Sequence, residues 1–203
     1  MGDDAQLLSI LTSANIACGG HAGDPDTMFR TLALARDSGV TLGAHPGRAD
    51  RIGVGRRVIP LLANDIGRIC AAQIGALRGV AALMRVPVAY VKLHGAPANP
   101  AARNPSVADA FVAAVQKIDP ELAVLAISST QAEHASRAAG AAASRLLSFL
   151  ETGRMPVVDG DQIALAAQSI CAHDDSVGAA AMAREVRYLL TARGVQIASF
   201  MGT

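Results

Sequence analysis

What most limits the fold of this chain is an alternation of strand-like and helix-like segments, with a histidine after four of the strand-like runs. The runs are Ala14-Asn15-Ile16-Ala17-Cys18, Val40-Thr41-Leu42-Gly43-Ala44, Val88-Ala89-Tyr90-Val91 and Ser169-Ile170-Cys171-Ala172, and the histidines are His21, His45, His94 and His173. A loop rich in Gly, Pro or Asp follows each run, and a helix-like segment follows at least three of them. Strands joined by helices pair in parallel, and their carboxyl ends gather on one rim where ligands bind. Histidines scattered through a core would not fall so regularly at strand ends. The pattern predicts one shared site.

The helix boundaries carry their own signals. Asp24-Pro25 places an N-cap residue before a proline at the first helical position, and Gly39 closes that helix, whose apolar face reads Phe29, Leu32, Ala33 and the stem of Arg36. Asn64 is the expected cap of a long helix with the seam Ile66, Ile69, Cys70, Gln73, Leu77, Ala81 and Met84. Ser106 with Asp109 reads as a capping box for a helix through Lys117. Leu122 to Ile127 is a continuous apolar run of the kind parallel sheets bury on both faces. Met155 to Ile163 reads as a hairpin around Asp159-Gly160. A helix capped by Ser176 and closed by Gly194, then a strand from Val195 to Ser199, end the pattern. About five confident strands are few for a closed barrel of eight. The expectation is an α/β fold: one domain over residues 1–203, an irregular and incomplete β/α barrel of parallel strands.

Composition narrows the function classes. Apolar residues form 51% of the 203 and charged residues 17%, so a core is easily filled, by Ala, Val, Leu and Ile because aromatics are only 3%. A formal charge of +1 gives no electrostatic footprint for nucleic acid or an acidic membrane. No apolar stretch is long enough to span a bilayer, and the acidic start Met1-Gly2-Asp3-Asp4 is unlike a secretory signal. Cys18, Cys70 and Cys171 are odd in number and widely spaced, unlike a disulfide framework. A cytoplasmic protein is expected, with Cys70 a small buried hydrophobe.

Residues two apart on a strand share a face, so Lys92 and His94 point the same way, as do Cys171 and His173. A desolvated lysine beside a histidine either pairs with a carboxylate or holds its proton less tightly. His21, His45, His94 and His173 are candidate ligands for a divalent metal, with Asp24, Asp50, Asp174 or Asp175 as oxygen donors. Compact zinc spacings such as H-E-x-x-H and paired C-x-x-C are absent. His134 sits in a helix-like stretch away from strand ends and reads as structural or exposed. Gly53-Val54-Gly55-Arg56-Arg57 offers backbone N–H groups and two guanidinium groups to a carboxylate or phosphate, although it is neither a Walker A loop nor a dinucleotide fingerprint.

These blocks resemble the LamB/YcsF family, whose members form the A subunit of the bacterial ATP-dependent 5-oxoprolinase. The resemblance rests on Ser13 to Pro25 (S-A-N-I-A-C-G-G-H-A-G-D-P), Gly43-Ala44-His45-Pro46-Gly47 with Gly53 to Arg57, Val91-Lys92-Leu93-His94-Gly95-Ala96 with Asn99, and Ser169 to Asp175, in family order. It implies a barrel akin to the glycoside hydrolase/deacetylase superfamily and ATP-driven hydrolysis of 5-oxo-L-proline to L-glutamate with two partner subunits. The chemistry of the residues, which the resemblance does not fix, makes Lys92, His94, His45 and His21 the catalytic candidates. Asn15, Asp24, Arg56, Arg57, Asn99, His173 and Asp175 would then bind substrate or nucleotide. ATP and a divalent metal are the cofactors to consider. The family's opening D-L-N-A-D-L-G-E motif and an internal segment like E-x-F-A-D-R-x-Y have no counterpart; the latter would fall where Gly140 runs through Ala141-Ala142-Ala143-Ser144-Arg145. Gly20 stands where the family carries an aromatic, Pro97-Ala98-Asn99 replaces L-Y-N, and Asp174 replaces a glycine. Two other readings use the same residues: a metal-dependent amide or carbohydrate hydrolase, and a non-catalytic degenerate relative.

Overall fold

A computed structural model describes residues 4–57, 59, 62–95, 105–125, 152–156, 162–164, 169–171, 178–199 and 201. The chain divides into two compact units, residues 13–127 and residues 1–12 with 128–203.

Within 13–127, strand β1 (Ser13–Ala17), helix α2 (Pro25–Asp37), strand β2 (Thr41–His45), helix α3 (Ala63–Ala82), strand β3 (Tyr90–Val91), helix α4 (Pro105–Ile118) and strand β4 (Ala123–Val124) follow one another. The four strands pair in parallel in the order β1-β2-β3-β4, so each crossover steps one strand onward. A doubly wound sheet would reverse direction part-way. This arc is what a segment of a β/α barrel looks like, and the α/β expectation stands. The runs at 14–18, 40–44 and 88–91 are found as shifted or shortened strands, and within 122–127 the strand is Ala123–Val124, with 126 and 127 outside the described residues.

Caps and packing explain the helices. Asp24 Oδ1 accepts from Thr27 N at 2.8 Å, with Pro25 at the first helical position. Gly39, at φ +66°, closes the helix while Val40 N returns to Ala35 O at 2.9 Å. The buried face of α2 is Met28, Leu32 and Ala35, not the Phe29–Leu32–Ala33 face, and Phe29 is 42% exposed. Alanine at 33 and 35 fits either face, which is why periodicity alone chose wrongly. Helix α3 starts before Asn64: Leu62 occupies the cap position and Asp65 reaches back to its N–H at 3.3 Å. Its buried seam is Ile66, Cys70, Ile74, Leu77 and Ala81, and Arg78 pairs with Asp119 at 2.9 Å. Helix α4 begins at Pro105, and the Ser106–Asp109 box lies outside the described side chains.

In the other unit, helix α1 (Asp4–Leu8) packs Leu7 and, just beyond its end, Ile10 against Ala183 of helix α5 (Ala179–Ala192). Arg187 Nη1 donates to Ile10 O at 2.6 Å. Strands β5 (Arg154–Pro156) and β6 (Gln162–Ala164) form the expected antiparallel hairpin. Two expectations are corrected here. Helix α5 is entered through Gly178 in the left-handed region rather than from a Ser176 cap, and Ser176 itself lies outside the described residues. Residues 195–199 and 169–171 carry no strand, since neither stretch is paired with a neighbouring strand among the described residues. Gly194, at φ +76°, does close α5.

Gly43 of β2 is fixed by a close approach. Its register partner is Tyr90, which is fully buried, and a Cβ at position 43 would overlap the Cδ2–Cε2–Cζ edge of the Tyr90 ring. Gly43→Ala is expected to destabilise the protein by about 1–3 kcal/mol, the usual cost of overpacking. The measurement is a urea-unfolding midpoint; an unchanged midpoint would contradict this packing.

Candidate active site

The β2–β3 ladder runs beyond its assigned strands, and this extension builds the site. Lys92 N donates to Ala44 O at 2.9 Å, and His94 N donates to Pro46 O at 2.9 Å. His45, the last residue of β2, and His94 are thereby locked side by side at the carboxyl ends of their strands. The turn after β1, closed by Gly19 N to Ala22 O at 2.8 Å, delivers His21 to the same place. His21 and His94 stack with centroids 3.6 Å apart and planes 7° from parallel, and His45 stands edge-on to both. All three are buried, as is Lys92, which is 5% exposed.

The hydrogen bonds define a direction. His45 Nδ1 lies 2.7 Å from Lys92 O, His94 Nδ1 lies 3.0 Å from His45 Nε2, and His94 Nε2 lies 2.7 Å from Val54 O. Carbonyl oxygens only accept, so His45 donates from Nδ1. Burial first, then the charges of Lys92 and His94, hold the His45 pKa well below its usual 6.5, so this ring is neutral and its Nε2 is a lone pair. His94 must donate to it from Nδ1, and to Val54 O from Nε2. With His45 neutral, this set of contacts calls for a proton on each nitrogen of His94. His21 is pushed down to about 3 by burial, then by His94, then by Arg56, so its ring is neutral. Its Nδ1 is buried without a hydrogen-bond partner.

The loop 47–57 closes over this cluster. Asp50, whose side chain is fully buried, accepts from Gly53 N at 3.0 Å and from Arg57 Nε at 2.8 Å through Oδ1. The Arg57 contact chiefly holds the Asp50 carboxyl below its usual range. Arg51 Nη2 reaches Gly23 O at 2.6 Å and Gly19 O at 3.3 Å, tying this loop to the one that carries His21. Gly55, at φ +67°, lies so close that a Cβ would sit 2.7 Å from His21 Cβ and 2.9 Å from His94 Cδ2.

The expected site residues therefore separate into groups. Lys92, His94, His45 and His21 come together. Arg56 is exposed at the edge, close enough for its charge to act on His21. Asn15 lies on β1 with its Oδ1 buried and without a hydrogen-bond partner. Arg57 is engaged by Asp50, and Asp24 is exposed and engaged in capping α2. Asn99, His173, Asp174, Asp175 and His134 lie outside the described residues. Sequence reading missed the roles of Asp50, Arg51 and Gln73. Only the loop's Asp-x-x-Gly turn signal pointed to the first, nothing local pointed to Arg51, and the helical seam put Gln73 on the inner face without naming its partner. Gln73 fills the space that Gly20 leaves.

Among the described residues no group of three or more His, Cys, Asp and Glu is placed to hold a metal. His45 and His94 turn their nitrogens to each other and to carbonyls, so these residues do not fit a metal as they stand. Cys18 and Cys70 are buried thiols, each pushed up to about 12 mainly by burial, and Cys171 is exposed. No described helix is long and apolar enough to cross a membrane.

The chain matches the LamB/YcsF family profile over residues 1–144 and 140–203. It belongs to the LamB/YcsF family. Among its relatives, a protein of Nocardia farcinica named as the A subunit of 5-oxoprolinase is 40% identical over 233 aligned positions, covering 99% of this chain and 93% of that one. A Rhodopseudomonas palustris protein of the same name is 38% identical, covering 100% and 93%. The crystal structure of a lactam utilization protein from Thermus thermophilus superposes with a TM-score of 0.86 at 30% identity, covering 98% and 93%. The two LamB/YcsF matches meet at 140–144.

Buried neutral histidines make stability depend on pH. His21 and His45 bind a proton near pH 6.5 when unfolded and only far below that when folded. Between pH 6.5 and about 3 the unfolded chain holds more protons, so this contribution is complete above 6.5 and is lost as pH falls. Asp24 and Asp50, whose reference value is 3.8, act mainly at lower pH. The urea midpoint is expected to drop steadily from about pH 6.5 to about pH 4.5, and His45→Asn is expected to flatten that slope. A midpoint constant across this window would contradict neutral buried rings.

Proposed function

We propose that this chain is the A subunit of an ATP-dependent 5-oxoprolinase, acting with two partner subunits in the cytoplasm to open 5-oxo-L-proline to L-glutamate. One observation carries the reading: a chain 40% identical to a protein named for that activity retains a buried His21–His45–His94 cluster beside Lys92 at its strand ends.

The chemistry suits such a cluster. A lactam is an unreactive amide. Transfer of the γ-phosphoryl group of ATP to the lactam oxygen makes the ring carbon open to water. The C–N bond then breaks as the nitrogen takes a proton, and a second water releases phosphate. The charges of Lys92, Arg56 and the His94 imidazolium offset the phosphoryl oxygens and the developing oxyanion. His94, with protons on both nitrogens, suits a proton donor to the leaving nitrogen. His45 fixes the His94 ring and is in turn fixed by Lys92 O, the orienting arrangement seen wherever a catalytic imidazole needs one direction. Asn15, Asn99, His173 and Asp175 belong to the same proposal as substrate or nucleotide contacts.

Mixing the chain with its two partner subunits is expected to give glutamate release coupled to 5-oxoproline-dependent ATP hydrolysis. His94→Ala and Lys92→Ala should each lower kcat by about 10²-fold or more. Turnover unaffected by either substitution, or no turnover from a soluble, partner-bound chain, would overturn the reading.

A further inference from the structure

The amide of Gln73 makes a two-point contact with the backbone of Gly47. Gly47 N donates to Gln73 Oε1 at 3.0 Å, and Gln73 Nε2 donates to Gly47 O at 2.6 Å. The contact spans 26 residues and starts from the middle of α3, whose neighbouring residues Cys70, Ile74 and Leu77 are fully buried. The amide is therefore held by a rigid helix and pairs with Gly47 much as one strand pairs with another. Swapping its two ends would set donor against donor, so the contact also fixes which way the Gly47 peptide faces.

Gly47 is the surface on which the stacked rings rest. A Cβ at this position would lie 2.6 Å from His21 Nδ1 and 3.1 Å from His94 Cβ. The preceding residue, Pro46, accepts the backbone hydrogen bond of His94. A second glycine makes room for the contact. A Cβ on Gly20 would lie 2.5 Å from Gln73 Nε2, 2.7 Å from Gln73 Oε1 and 2.5 Å from Gly47 O. Gly20 is not among the left-handed glycines, so it is small there for space and not for backbone conformation.

We infer that Gln73 is a positioning residue for the His21–His94 pair, acting through the Gly47 peptide and requiring glycine at position 20. It touches neither ring and is not a catalytic residue. An imidazole displaced by a fraction of an ångström from its reacting atoms loses rate while substrate binding is largely kept. The consequence for turnover rests on the function proposed above; the geometric claim does not.

The test compares wild type, Gln73→Met, Gly20→Ala and the double variant by two readouts. The first is the imidazole ¹⁵N spectrum of the labelled chain, with thermal unfolding as a control for folding. The second is 5-oxoproline turnover in the complex with both partner subunits. Both single variants are expected to shift the His21 and His94 ring resonances. They should lower kcat by about 10- to 100-fold and leave KM within about threefold. The double variant should be no worse than the worse single one, because both changes break the same contact. Gly20→Ala reaches that contact without altering α3. Unchanged ring resonances in folded Gln73→Met would overturn the inference, as would kcat losses that multiply in the double variant. If the wild-type complex turns over no 5-oxoproline, the functional reading fails, and the ring resonances still decide the role of Gln73.

Discussion

The structure depends on the parallel ladder between β2 and β3 continuing past the residues that count as strand. Ordinary sheet pairing ends at Val91, yet the bonds from Lys92 N to Ala44 O and from His94 N to Pro46 O carry the register two steps further. Those two bonds fix the separation of His45 and His94 by the same geometry that fixes neighbouring strands. The side-chain bond between the two rings then needs no flexible loop to hold it. A site built on a ladder is positioned more tightly than one built on loops alone, and its cost is the burial of polar rings.

That cost is met by giving most ring nitrogens a partner. The chain of donors from Val54 O through His94 and His45 to Lys92 O places one proton more than two neutral rings can hold. The loop 47–57 makes this tenable by supplying the Val54 carbonyl and excluding water. Asp50, Arg51 and the close glycines brace that loop from both sides. A site that already holds a positive charge in a dry setting is prepared for an anionic group, and a phosphorylated lactam is one.

Much of this was legible in the sequence. Apolar runs ending in His45 and His94 reported both the strands and the rim, because strand periodicity and strand ends are local properties. Asp24-Pro25 and Gly39 reported a helix for the same reason. The clamp between Gln73 and Gly47 was not legible, because it joins residues 26 apart: the seam of α3 put Gln73 on the inner face, but no local pattern names its partner. Arg57 read as an anion ligand because its partner Asp50 is found only once the turn is folded. The buried face of α2 was misjudged by one position because alanines on both sides satisfied the period. The expected strand at 195–199 failed because strand propensity does not supply a neighbour to pair with.

The central claim is the protonation and direction of the histidine chain. A long-range ¹H–¹⁵N correlation spectrum of the imidazoles at neutral pH tests it most directly. The account predicts a neutral His45 protonated at Nδ1, a His94 protonated on both nitrogens and a neutral His21. A His45 protonated at Nε2, or three rings titrating together near their ordinary value, would contradict it.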